Sequence, residues 1–190
     1  MAVNQGVSSK MIQTKRLTIR FFEEQDRPGL VELLMDPYFM EHSETGALDA
    51  ASANSRFDQI LSFGNVGLGK RAVLDTQSGE LYGYCGIEPF ELNRQIRLEL
   101  GYRIALAHRQ KGIATEAASA VASTHAGKLY AYVNSSNLAS IRVLERIGFN
   151  KSGTCLVHGK QYALFNYSGG KTNNQGSQNT LTAWPHSKHK

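Results

Sequence analysis

Cysteine occurs only twice in the 190 residues, at Cys85 and Cys155, so the chain offers neither a disulfide framework nor a cysteine zinc cluster. No two histidines have the spacing of a metal pair, and no metal site is expected. No apolar run approaches the roughly 20 residues that a membrane-spanning helix needs. Residues Met1 to Lys10 contain no apolar signal-peptide core, which makes a reducing cytoplasm the expected compartment. Gly-x-Gly-x-x-Gly and the Lys-Ser/Thr phosphate loop are both missing, which argues against the common nucleotide-binding folds. Acidic residues are missing from Ser168 onward, where Lys171, Lys188 and Lys190 carry three of the five net positive charges. The remaining chain is close to electrically balanced, a poor basis for nucleic-acid binding.

What is present is an ordinary apolar fraction of 41% in a chain long enough for one well-formed core. Residues 1–11 read as a flexible leader, 12–167 as one domain, and 168–190 as a polar tail with too little apolar surface to order itself. Arg16 to Phe22 alternates as a first strand, and Asp26 is the expected N-cap of a helix to Met35 with Pro28 in its first turn. A second helix is expected over Ala50–Phe63. Arg71–Asp75 and Leu81–Phe90 read as a hairpin. The clearest period is that of the next strand, where Ile96, Leu98, Leu100, Tyr102 and Ile104 share one face and Arg97, Glu99, Gly101 and Arg103 the other. An alanine-rich helix from Thr115 to about Ala126, a strand at Leu129–Val133 and a helix from Asn137 to Ile147 follow, the last closed by Gly148. Two strands, near 153–158 and 161–167, complete the pattern.

The segment with chemical content is His108-Arg-Gln-Lys-Gly-Ile-Ala114, a basic glycine turn between a strand and a helix. Such a turn presents free backbone N–H groups and the positive end of a helix dipole, a combination suited to phosphate. Arg109 and Lys111 add positive charge, and Gly112 lets backbone and phosphate come close.

These residues, Leu98-Glu-Leu-Gly-Tyr102 before them, Thr14-Lys-Arg-Leu-Thr-Ile-Arg20 at the start and Asn137-Leu-Ala-Ser-Ile-Arg-Val-Leu-Glu-Arg-Ile-Gly-Phe149 at the end, together resemble the GNAT acetyltransferase superfamily. The branch they resemble is the RimJ/RimL-like group of ribosomal-protein alanine N-acetyltransferases. The resemblance implies an α/β (α+β) fold with a mixed, mostly antiparallel, splayed sheet flanked by helices. It implies acetyl-CoA in the gap of the sheet. The pyrophosphate would rest on Arg109, Gln110, Lys111, Gly112, Ile113, Ala114 and Thr115, and the pantetheine on the backbone of Tyr102, Arg103 and Ile104. Asn137 and Ser140 would make further contacts with the cosubstrate. Direct attack of a neutral amine on the thioester is implied, with no acyl-enzyme.

Glu99 is the candidate base, directly or through a water, on the polar face of the central strand. It is equally readable as a surface ion-pair partner of Arg97 or Arg103. Many superfamily members carry a tyrosine acid in the closing helix; Leu144 holds that slot here, and Ser140 or water is the candidate substitute. The connection from Ala118 to Tyr130 is also shorter than the branch pattern. The expected partners are acetyl-CoA and an amine acceptor, with no nucleic acid or membrane, in a monomer or homodimer. A protein N-terminal amine is the first expectation for the acceptor. A small amine (polyamine, amino acid or aminoglycoside) and a non-catalytic acyl-CoA-binding module stay open.

Overall fold

The computed structural model describes residues 11–157 and 159–168. Eight strands form one sheet: β1 (Ile12–Gln13), β2 (Leu17–Phe21), β3 (Gly69–Asp75), β4 (Leu81–Leu92), β5 (Gln95–Ile104), β6 (Lys128–Val133), β7 (Asn150–Val157) and β8 (Lys160–Ser168). Their order is β1-β2-β3-β4-β5-β6-β8-β7. All neighbours are antiparallel except β5 and β6, which are parallel. Five helices flank the sheet: α1 (Arg27–Met35), α2 (Pro37–Met40), α3 (Ala50–Gly64), α4 (Ile113–Ala122) and α5 (Leu138–Arg146).

Each face carries its own core. Ala53, Phe57 and Ile60 of α3, spaced i, i+4, i+7, pack with Leu30 and Leu34 of α1 against Ala72 and Leu74 of β3. On the other face, Ile113, Ala117, Ala118, Val121 and Ala122 of α4 lie on Val73, Cys85, Leu100 and Ile104. The alanines bring that helix close to the strands, and full burial of each larger apolar side chain contributes about 1.5–3 kcal/mol.

Several expected boundaries shift for local reasons. Asp26 starts α1 but does not cap it with its side chain. Its carboxylate instead takes two bonds from Arg20, at 2.7 and 2.9 Å, and one from the Glu23 amide, closing a short 3-10 turn at Glu24–Asp26. Helix α4 stops at Ala122, four residues before the expected end. Gly148 terminates α5 as read: with φ +91° it lets the Phe149 amide reach the Leu144 carbonyl and its own amide reach Glu145, and Phe149 stacks on Tyr167. Ser168, assigned to the tail, is the last residue of β8; the expectations for residues 1–10 and 169–190 lie outside the described residues.

Candidate active site

The parallel pairing of β5 with β6 is confined to one register, Glu99 opposite Tyr130. Beyond Glu99 the two strands part, so the sheet forks between Leu100–Ile104 and Ala131–Val133. The Ala105 amide bonds the Tyr82 carbonyl of β4. By the alternation of an antiparallel ladder, the peptide groups of Tyr102 and Ile104 then face away from β4, toward the fork. The Ile104 carbonyl accepts from Arg109 Nε at 2.9 Å.

Past the open end of the fork the chain makes a 3-10 turn at Leu106–His108 and enters the glycine loop. Gln110 has φ +61°, and Gly112, with φ +77°, is the N-cap of α4. The left-handed backbone at Gly112, more than lack of space, selects glycine: a Cβ there would meet only Arg16 Nη2, at 3.4 Å. The first helical amide bonded back is that of Glu116, to Gly112, so the amides of Ile113, Ala114 and Thr115 have no acceptor within the helix. They point out of the turn at the positive end of the dipole, the expected cradle for an anion.

Two findings alter the charge picture around this loop. The Arg109 guanidinium turns to Glu41 and to the Tyr38 carbonyl (2.7 Å), tying the loop to the end of α2 and not standing free as a phosphate ligand. Arg16, which carries no sequence signal for this role, fills the space beside Gly112. It donates to the Lys111 carbonyl at 2.8 Å and to Glu116 at 2.7 Å. Burial raises the Glu116 carboxyl, but hydrogen bonds from Thr14 and Arg16 outweigh it and hold the group below its ordinary value. Lys111 itself is exposed.

Glu99 stands at the base of the fork on the α3 face of the sheet. Arg97 and Arg103 are not its partners. Arg103 lies against Met40 Sδ with the rings of Phe39 and Tyr84 near its guanidinium, and Arg97 reaches Gln95. The ion pair is with Lys70, whose Nζ is 3.2 Å from Glu99 Oε1 and 3.1 Å from Glu88 Oε2. Arg56 of α3 completes the group with bonds of 3.1 Å to both Glu88 oxygens. The Glu99 side chain is 13% exposed, and Lys70 is 5% exposed. Burial lifts the Glu99 carboxyl above its ordinary value, and Lys70 opposes the lift without cancelling it. Glu88 is also pushed up by burial but, with two cations beside it, ends below its ordinary value. Sequence reasoning missed Lys70 and Arg56. The available signal was a lysine on the same strand face as Ala72 and Leu74, an apolar alternation that a lysine enters only with a buried partner.

Helix α5 closes the other side. Asn137 Oδ1 caps it through the Ser140 amide at 3.0 Å, and Tyr102 Oη donates to the Ser140 carbonyl at 3.0 Å. The structure thus brings Tyr102, Asn137 and Ser140 together beside the fork. Leu144 is 2% exposed within the α4–α5 core, so its slot is filled by packing. Cys85 is fully buried and its thiol is pushed up to about 12, which removes it as a nucleophile. Tyr84 packs edge-on to Phe39, and Tyr82 bonds Asp75 and stacks on His108, so these residues serve strand packing.

A sheet forked at two parallel strands, with a left-handed glycine turn and an open helix N-terminus beyond the fork, defines an acyl-CoA-dependent acyltransferase architecture. The chain belongs to the GNAT acetyltransferases: the family described as "Acetyltransferase (GNAT) domain" matches residues 16–150. It is therefore an acetyl-CoA-dependent acetyltransferase, of a family that transfers acetyl groups to amines. It is 32% identical over 160 residues to the uncharacterized protein YkkB of Bacillus subtilis, covering 80% of this chain and 92% of that one. An acetyltransferase structure from Agrobacterium tumefaciens superposes with a TM-score of 0.71 at 25% identity, covering 88% and 99%. RimL, the ribosomal L7/L12 α-N-protein acetyltransferase, in complex with coenzyme A, superposes with a TM-score of 0.68 at 15% identity, covering 84% and 98%. That last likeness is one of fold.

Proposed function

We propose that the protein acetylates a primary amine within a ternary complex, with Glu99 as the base and a protein N-terminal amine as the acceptor. The observation that carries this reading is the position of Glu99. It is the last β5 residue paired with β6, it points to the face opposite α4 and α5, and its Oε2 has no hydrogen-bond partner among the described residues. When bound, acetyl-CoA supplies the thioester carbon that the amine attacks with release of the CoA thiol. The residues that fit it are the amides of Ile113, Ala114 and Thr115 for the pyrophosphate, and the fork-facing peptides of Tyr102 and Ile104 for the arm.

Glu99 takes one proton from the acceptor ammonium, freeing the nitrogen lone pair. An N–C bond forms and the C–S bond breaks. The second nitrogen proton passes to the departing sulfur through Ser140 or water. An α-amine has a pKa near 8, so its deprotonation at pH 7 costs roughly 1.4 kcal/mol against about 4–5 for a lysine amine. A carboxylate lifted by burial is a better match to the first than to the second.

RimL, which acts on an α-amine, shares this fold, and that supports the acceptor assignment. Release of CoA thiol from acetyl-CoA, followed with peptides bearing free N-termini, polyamines, amino acids and aminoglycosides, tests it. Peptides are expected to give the highest kcat/KM. Turnover with small amines alone would move the acceptor to that class, and CoA binding without thiol release from any amine would make the domain a non-catalytic acyl-CoA module.

A further inference from the structure

Glu88 and Glu99 are direct cross-strand partners on the same face of β4 and β5. Two opposed carboxylates in that position repel, and both are largely removed from water, so the pairing is unfavourable unless something bridges it. The bridge is Lys70, and the sheet is shaped to let it pass. Lys70 pairs with Gly86 on β4, and Gly86 pairs with Gly101 on β5, forming one row across three strands. A Cβ on Gly101 would fall 2.5 Å from Lys70 Nζ and 3.3 Å from Glu99 Oε1. A Cβ on Gly86 would collide with the Gly69 carbonyl and the Lys70 backbone. Gly101 thus leaves a trough for the end of the lysine stem, while Gly86 lets the β3 backbone come close to β4, and the ammonium is delivered between the two carboxylates.

We propose that Lys70 is the positioning residue of the reaction: lying in the trough at Gly101, it fixes the Glu99 carboxylate through Oε1 and keeps it ionised, leaving Oε2 to take the proton of the acceptor amine. This rests on the reading of Glu99 as the base. Every other acid group facing Glu99 opposes ionisation or is neutral: Glu88 and Tyr84 of β4, Glu44 in the segment before α3, Tyr132 of β6, which donates to Glu44 at 2.8 Å, and Cys155 of β7. Among the described residues, Arg56 of α3 sends both of its bonds in this group to Glu88, and Lys160 of β8 reaches only the Glu44 carbonyl. Among the described residues, Lys70 alone joins a positive charge directly to Glu99.

The test is the pH dependence of kcat/KM for wild type, Lys70→Met, Gly101→Ala and Glu99→Gln, with CoA affinity and circular dichroism as controls for folding. Methionine keeps the apolar stem in the trough and removes the charge. Gly101→Ala keeps every charge and crowds the ammonium off Glu99, so it decides the question if Lys70→Met does not fold. Both are expected to move the acid limb of the profile upward by about 1–3 pH units, the effect of losing an adjacent opposite charge. An unmoved limb in a folded Lys70→Met or Gly101→Ala enzyme overturns the assignment to Lys70. If Glu99→Gln keeps the wild-type limb and rate, the base reading itself fails, and that outcome is separate from the first.

Discussion

Glu99 is placed where its charge is least comfortable: 13% exposed, opposite another carboxylate and held by one ammonium. A residue kept ionised against burial stores free energy that a neutral amide would release. Glu99→Gln removes one of the two opposed charges and leaves Lys70 paired with Glu88. It is expected to lower turnover at neutral pH by at least tenfold while leaving CoA affinity and the melting temperature unchanged or higher. A melting temperature lowered by many degrees, measured by thermal denaturation, would show that the carboxylate serves the fold and not the reaction. Glu99 itself was legible because the alternation of residues 96–104 puts it on the polar face three residues before the fork-facing backbone. Its partner was not, since Lys70 lies 29 residues earlier and only the strand register brings the two together.

Helix α5 was the most legible element because both of its ends are chemically marked. Asn137 caps the first turn through the Ser140 amide, and Gly148 ends the last with a left-handed residue. Asn137→Ala is expected to cost about 1 kcal/mol of stability, the usual value of such a cap, and to weaken CoA binding by loosening Ser140 against Tyr102. Urea denaturation and CoA titration measure the two effects; an unchanged affinity with the full stability loss would confine Asn137 to capping. Helix α4 was marked at one end only. It begins at Ile113, directly behind the left-handed Gly112 and two residues before the expected Thr115, while Ser123 and Thr124 turn their hydroxyls onto the Ala120 and Val121 carbonyls and the helix is over by Ala122, before the expected end near Ala126.

Acid should act on the molecule through its buttressing carboxylates. The Asp75 carboxyl is held to about 2, first by the Ser78 amide and then by Tyr82, while Glu88 and Glu116 also sit below their ordinary values. Groups depressed in the folded state contribute stability that is present above the unfolded value, about 4 for a carboxylate, and that fades as pH falls through the folded value. Glu99, raised by burial, has the opposite sign: it favours the folded state when protonated and less so as pH rises through its raised value. Glu116 matters most for shape, because through Thr14 and Arg16 it fastens the start of the sheet to the helix behind the glycine loop, about a hundred residues away. Glu116→Gln is expected to flatten the loss of stability between about pH 5 and pH 2 in urea denaturation run across that range. An identical slope in wild type and variant would mean that this carboxylate does not carry the acid sensitivity.

The order of the main elements, the glycine turn before α4 and the strand bearing Glu99 were readable along the chain because each depends on interactions within about ten residues: a left-handed glycine, a cap, a period of two or of 3.6; β1 and α2, two and four residues long, were not. The charges that govern the site were not. Lys70 with Glu99, Arg16 with Glu116 and Arg109 with Glu41 are pairs drawn from distant segments, and any of these side chains has many oppositely charged candidates of equal merit in one dimension. Closing the sheet around two apolar faces chooses among them: for Lys70 and Glu99 burial leaves only the partner that the strand register sets within reach, and for the half-exposed Arg16 and Arg109 pairs the fold brings the two segments side by side.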